Sequence, residues 1–267
     1  MVGCWPEMIV PRHARLDFAG KPQLVLQQSA HDRPMFLGED DYRYYRAELQ
    51  AASIQYGCSV HAYALLPQSV YFLVTGSGRG NVPRMMQSLG RRFAHYANQR
   101  DGTHGARWLG RYHSCPVGGD AHVLRASVFV ELAPVRAGAA THAQAYPWSS
   151  AACNAQGSVD PCITPSSAYL ALSVQSRARR SRYRALLMGT PPEDGELLLH
   201  IKQGRAWGSV GFLRKMATVL GESVRARPRG RPRKFSRSAK LAQFCTTLSP
   251  FLLTGWMSLQ QTLDASV

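Results

Sequence analysis

Residues 61–76, HAYALLPQSVYFLVTG, constrain this chain more than any other stretch. The run alternates around Pro67, with Val60, Ala62, Ala64, Val70, Phe72 and Val74 spaced for a half-buried strand. Its β-branched and aromatic side chains are stiff and fit a pleated surface. A sheet therefore belongs at the centre of the fold. Upstream, Gln23 to Gln28 reads as a short strand, and 40–54 as a helix with Tyr42, Tyr45, Leu49 and Ala52 at helical spacing. Downstream, SGRGN at 77–81 is a turn. The 82–98 segment is a helix with Met85, Leu89, Phe93 and Tyr96 on one face and Arg84, Arg91 and Arg92 elsewhere. DGTHG at 101–105 is a loop and 108–117 a short strand. Asp120 is a candidate N-cap for a helix that runs to Leu132 and is ended by Pro134. Strands pairing around crossed helices give an α+β sandwich over 11–150.

The second half reads differently. Residues 151–224 form a helical, basic extension, loop-rich to Pro165, with a short helix over 168–172. Arg177, Arg179, Arg180, Arg182 and Arg184 then share a helix whose other face carries Tyr183, Leu186 and Leu187. Two small helices follow over 193–220, with Trp207 and Phe212 as core candidates. Residues 225–240 are a basic linker too poor in apolar residues to fold alone. Residues 241–267 turn apolar and lack Lys and Arg; they could dock on the body, self-associate or be an accidental extension.

Charge narrows the partner. Lys and Arg number 32 against 16 Asp and Glu, a formal charge of +16. Such a field favours polyanions, nucleic acid first and an anionic membrane surface second. The six cysteines show no zinc spacing and read as reduced apolar residues of a cytoplasmic protein. The N-terminus carries Glu7 early and lacks a long apolar core, so no signal peptide is expected. Ser249-Pro250 interrupts the apolar 241–257 run, which is shorter than the ~20 residues of a spanning helix, and no membrane segment is expected.

Two motifs carry a family resemblance. His61, Ala62, Tyr63, Leu65, Pro67 and Val70 match the strand motif His-Ala-Tyr-x-Leu-Met-Pro-Asn-His-Val-His-Leu-Leu of the REP-associated tyrosine transposases, single-tyrosine HUH enzymes. Residues 129–138, FVELAPVRAG, resemble that family's Tyr-Ile-Glu-Leu-Asn-Pro-Val-Arg-Ala-Gly helix end, through Glu131, Leu132 and Pro134 to Gly138. Further matches keep the family's order: Pro11-Arg12 with Arg15; Gly20-Lys21-Pro22; Phe36 before Glu39-Asp40-Asp41-Tyr42; Gly90-Arg91-Arg92-Phe93; Trp108 to Tyr112; and Tyr146 to Ser150. The similarity extends to about residue 234. One departure lies in the first strand, where the family's Arg-Gly pair and nearby Arg fall near Gln28, Ser29 and Asp32.

The resemblance implies a ferredoxin-like sandwich with an antiparallel sheet, a bacterial, nucleoid-associated location, single-stranded hairpin or palindromic DNA as partner, and a homodimer. In the family a histidine pair holds magnesium or manganese and a tyrosine attacks the phosphate. Here those positions are Ser69, Tyr71 and Phe129, and the family's Asn is Ala133. A neutral hydroxyl is a poor metal ligand, a phenol must ionise against a pKa of ~10, and a phenyl ring has no nucleophile. The expectation is a DNA-binding protein without catalytic residues, metal or cofactor. The alternative is an active transposase in which Tyr71, Tyr96 or Tyr112 attacks and Glu131 or His61 helps with metal. His61 otherwise reads as a satisfied strand histidine, and His104, His113 and His122 as surface residues.

The basic residues matched to these motifs are the DNA-binding candidates: Arg91, Arg92, Arg111 and Arg136. Arg donates a planar fork that suits phosphate. Arg229, Arg231, Arg233 and Lys234 in the linker resemble an AT-hook, whose extended Gly-Arg-Pro enters a narrow A·T-rich minor groove; a disordered basic linker is the other reading.

Overall fold

The computed structural model describes residues 15–30, 34–189 and 194–220. The order is β1 (Pro22–Gln28), α1 (Glu39–Gln55), β2 (Cys58–Leu66), β3 (Ser69–Gly76), α2 (Asn81–Asp101) and β4 (His113–Gly118). These six elements give the βαββαβ connectivity of a ferredoxin-like fold, with sheet order β2-β3-β1-β4 and antiparallel neighbours. There follow α3 (Asp120–Glu131), α4 (Ala133–Arg136), α5 (Ala151–Gln156), α6 (Ser167–Ala171), α7 (Ser176–Met188), α8 (Asp194–Gln203), β5 (Trp207–Gly208) and α9 (Val210–Leu220).

The 61–76 run is a hairpin rather than one half-buried strand. Proline cannot donate to a ladder, and Pro67 sits in the turn, where its carbonyl accepts from the Met35 amide at 2.6 Å. Both sheet faces are covered. Tyr63, Leu65, Val70, Phe72 and Val74 meet Tyr45 and Leu49 of α1 and Met85, Leu89 and Phe93 of α2. Ala62, Ala64 and Leu73 meet Val123, Ala126, Phe129 and Val130 of α3. A register shift between Val60 and Ala62 puts these two on opposite faces, which breaks the simple alternation.

Several boundaries move for identifiable reasons. β4 begins at His113, because Gly110 takes a φ of 66° and Trp108 makes only an isolated bridge to Ser29. Gly119 is the cap of α3 and Asp120 its first residue. Pro134 does not simply end α3: it sits early in α4, where its missing N–H costs nothing. Leu186 is 42% exposed, so α7 buries Tyr183 and Leu187 alone of the expected trio. Phe212 is partly buried, while Trp207 is in the core.

The segment after residue 150 packs on the sheet-bearing part. Ala151, Ala155, Tyr169, Tyr183 and Leu187 pack against Val128 of α3 and Leu132 just after it. β5 extends the sheet, parallel to β4. The described residues belong to one compact unit. The basic linker at 225–240 and the apolar tail at 241–267 lie outside the described residues. Among the described residues, no helix is long and apolar enough to cross a membrane.

Candidate nucleic-acid interface

The three positions expected to carry chemistry converge on the α3 side of the sheet. Ser69 and Tyr71 alternate along β3 and so share a face. The Tyr71 ring meets Phe129 edge-on, with centroids 6.0 Å apart at 73°. Phe129 is fully buried. Arg136 roofs it: the guanidinium carbon lies 4.1 Å from the ring centroid, and Nη2 donates to the Phe129 carbonyl at 2.8 Å. This stack supplies one aliphatic hydroxyl, one phenol and one phenyl ring. It does not fit a divalent cation, which takes carboxylates or imidazoles readily and neutral hydroxyls poorly. Among the described residues, no group of three or more His, Cys, Asp or Glu could hold a metal.

The substitute groups have other commitments. Glu131 is completely buried; its Oε1 accepts from Ser150 at 2.5 Å and Asn154 at 2.7 Å, and its Oε2 accepts from Tyr183 at 2.8 Å. Burial pushes its carboxyl up to about 7, against the pull of those three donors. It joins α3, α5 and α7. His61 is a satisfied strand histidine: Nδ1 donates to the Thr164 carbonyl at 2.7 Å, and Nε2 pairs with the Thr75 hydroxyl at 2.8 Å. Burial pushes its pKa down. Tyr96 stacks on Tyr44 at 4.1 Å, and Tyr112 is buried beneath the Arg15 guanidinium. His104 is exposed, but His113 is half-buried in β4, and His122 is half-buried with its ring edge-on to Trp207 at 4.8 Å.

The four candidate arginines of the body separate into two groups. Arg91 and Arg111 line one groove of about 600 Å³ between α2 and the segment before β4. Arg15, Arg107, Trp108 and Tyr112 complete its polar and aromatic wall, over Pro83, Met86 and Ala94, and no carboxylate lines it. Arg91 and Arg111 are exposed, and neither makes a hydrogen bond or ion pair with a described residue. Arg92 points away, because one residue along a helix is a turn of about 100°. It pairs with Glu48 of α1 at 2.8 Å. Arg136 is spent on Phe129. The linker candidates Arg229, Arg231, Arg233 and Lys234 lie outside the described residues.

Sequence reasoning missed Arg107. It donates to Asp101 at 2.6 Å and to the Ala97 carbonyl at 3.0 Å, fastening the groove's far wall to the end of α2. Trp108 Nε1 donates to the Gly90 carbonyl at 2.9 Å, which lays the indole along α2. The signal available was Arg107 directly before the matched Trp108–Tyr112 motif, but only the fold shows that it lines the same groove as Arg91.

No protein-family model matches the sequence, and no curated protein matches it. Solved structures with a similar backbone include a REP-associated tyrosine transposase bound to a REP hairpin, at 15% identity and a TM-score of 0.49, with 60% of this chain and 96% of that chain covered. A candidate transposase from Deinococcus radiodurans is matched at 15% identity and a TM-score of 0.31, over 43% of this chain and 89% of that one.

Proposed function

We propose that this protein binds DNA through the α2 groove and neither cuts nor joins it. The observation that carries the reading is the pairing of Arg91 with Arg111 across a groove that holds aromatic rings and no carboxylate. Free guanidinium groups take phosphate oxygens in pairs, and Trp108 offers a face on which an unpaired base can stack. The occupant we infer is single-stranded or hairpin DNA, by resemblance to the transposase family. The linker motif around Arg231 adds a contact to A·T-rich duplex. Loss of strand cleavage follows from the groups at Ser69, Tyr71 and Phe129.

Anisotropy of a labelled DNA hairpin, titrated with the full chain over about 50–200 mM salt, tests the binding. The log of affinity is expected to fall with the log of salt at about −0.7 per phosphate contact on single-stranded DNA, so several contacts give a steep line. No binding at the low-salt end would remove this reading.

A further inference from the structure

We propose that α7 is a second nucleic-acid surface, which grips duplex DNA by its phosphates on the side of the sheet away from the groove, so that one chain can hold two segments. The groove belongs to the α1–α2 layer. α7 instead packs through Tyr183 and Leu187 on α3, α5 and α6, the opposite layer. Its five arginines have divided roles. Arg179 donates to the Ser173 carbonyl at 3.0 Å and Arg182 to the Leu172 carbonyl, so these two fasten the helix to the loop before it. Arg177, Arg180 and Arg184 make no hydrogen bond or ion pair with a described residue. At about 100° per residue these three fall within roughly 60° of arc, one stripe about 10 Å long. Gly157, in the left-handed region at φ 88°, makes room for Arg180, since a Cβ there would come 2.6 Å from Nη1.

This stripe opposes the stability of its own helix. Arg177 with Arg180 and Arg180 with Arg184 are like charges at i,i+3 and i,i+4 spacing. The first turn has no acidic residue, and cations there oppose the helix dipole. Residues 151–188 contain one carboxylate, Asp160, and it lies 3.5 Å from Arg46 of α1. A row of cations, Arg177 and Arg184 exposed and Arg180 half-buried over Gly157, with no hydrogen bond or ion pair to a described residue, fits an external polyanion. Tyr183 and Leu187 are buried, and the two large apolar side chains that α7 leaves exposed, Leu186 and Met188, both lie in its last turn and make no continuous apolar face for a bilayer, which favours duplex phosphates over a lipid surface.

The test compares the full chain with Arg177→Gln/Arg180→Gln/Arg184→Gln on a blunt DNA duplex, by anisotropy across salt and by thermal melting. The salt slope should become shallower by about 2–3, at about 0.9 per duplex phosphate, with no fall in melting temperature. The corresponding triple lysine variant should restore the slope. Capture of a labelled blunt duplex by an immobilised single-stranded DNA hairpin should fail with the glutamine variant and survive in the wild type. An unchanged slope overturns the proposal, as does a lost slope that lysine does not restore. Loss of binding to phosphatidylserine vesicles with duplex binding intact would move the surface to a membrane and overturn it too. The Arg91 and Arg111 groove is untouched by these variants, so its failure and this one are read separately.

Discussion

Arg91→Glu combined with Arg111→Glu weakens hairpin binding at least about 100-fold at moderate salt and leaves the melting temperature where it was. Hydrogen bonds to charged groups contribute about 1.5–3 kcal/mol each, so losing two, and placing two anions beside phosphate, exceeds the 2.7 kcal/mol that a factor of 100 represents. Stability is spared because both side chains are exposed and neither makes a hydrogen bond or ion pair with a described residue. Arg92→Glu is the control, with at most a few-fold effect. Its side chain is 42% exposed and paired with Glu48, and an exposed ion pair of that kind contributes little. Equal losses for the control and the double variant would reduce the groove to general surface charge.

Glu131→Ala destabilises the fold by about 3–5 kcal/mol, and Glu131→Gln by far less. The alanine variant strands the Ser150 hydroxyl, the Asn154 amide and the Tyr183 phenol together in a region that excludes water. The same carboxyl makes stability depend on pH. Its ordinary value is 4.5, and burial raises it to about 7 in the fold. Between those values the folded chain holds a proton that the unfolded chain has released. Stability is therefore fully present below about 4.5 and declines as pH rises to 7, by on the order of 3 kcal/mol. His61, lowered from 6.5 by burial, contributes the opposite slope on the acid side of its ordinary value. Urea unfolding of wild type and Glu131→Gln at pH 5 and pH 8 isolates the glutamate. The wild type should lose stability relative to the glutamine variant at the higher pH, and parallel behaviour would contradict the account.

The central sheet was legible because its strands carry β-branched and aromatic residues in runs long enough to show a period. The hairpin at Pro67 was not. Both faces of β2 and β3 are buried and a register shift follows Val60, so a two-sided core imitated a one-sided strand. β5 is two residues long and carries no periodic signal. It reaches β4 because Gly208 lacks a Cβ, which would lie 2.3 Å from the Gly118 carbonyl oxygen. In the candidate site, residue type pointed to the arginines and to Ser69, Tyr71 and Phe129. Direction did not follow from type: neighbours Arg91 and Arg92 diverge around α2, and Arg136 turns inward over Phe129.

Binding without chemistry is decided most directly by running one reaction on two gels. The full chain is incubated with a labelled single-stranded DNA hairpin and magnesium or manganese, then divided between a native and a denaturing gel. A shifted complex on the first and intact, unlinked DNA on the second is the expected pair. It should persist in each of Ser69→His, Tyr71→His and Phe129→Tyr made singly, since metal ligands and nucleophile act as a unit. A cut strand or a protein–DNA adduct surviving denaturation in the wild type would contradict the account.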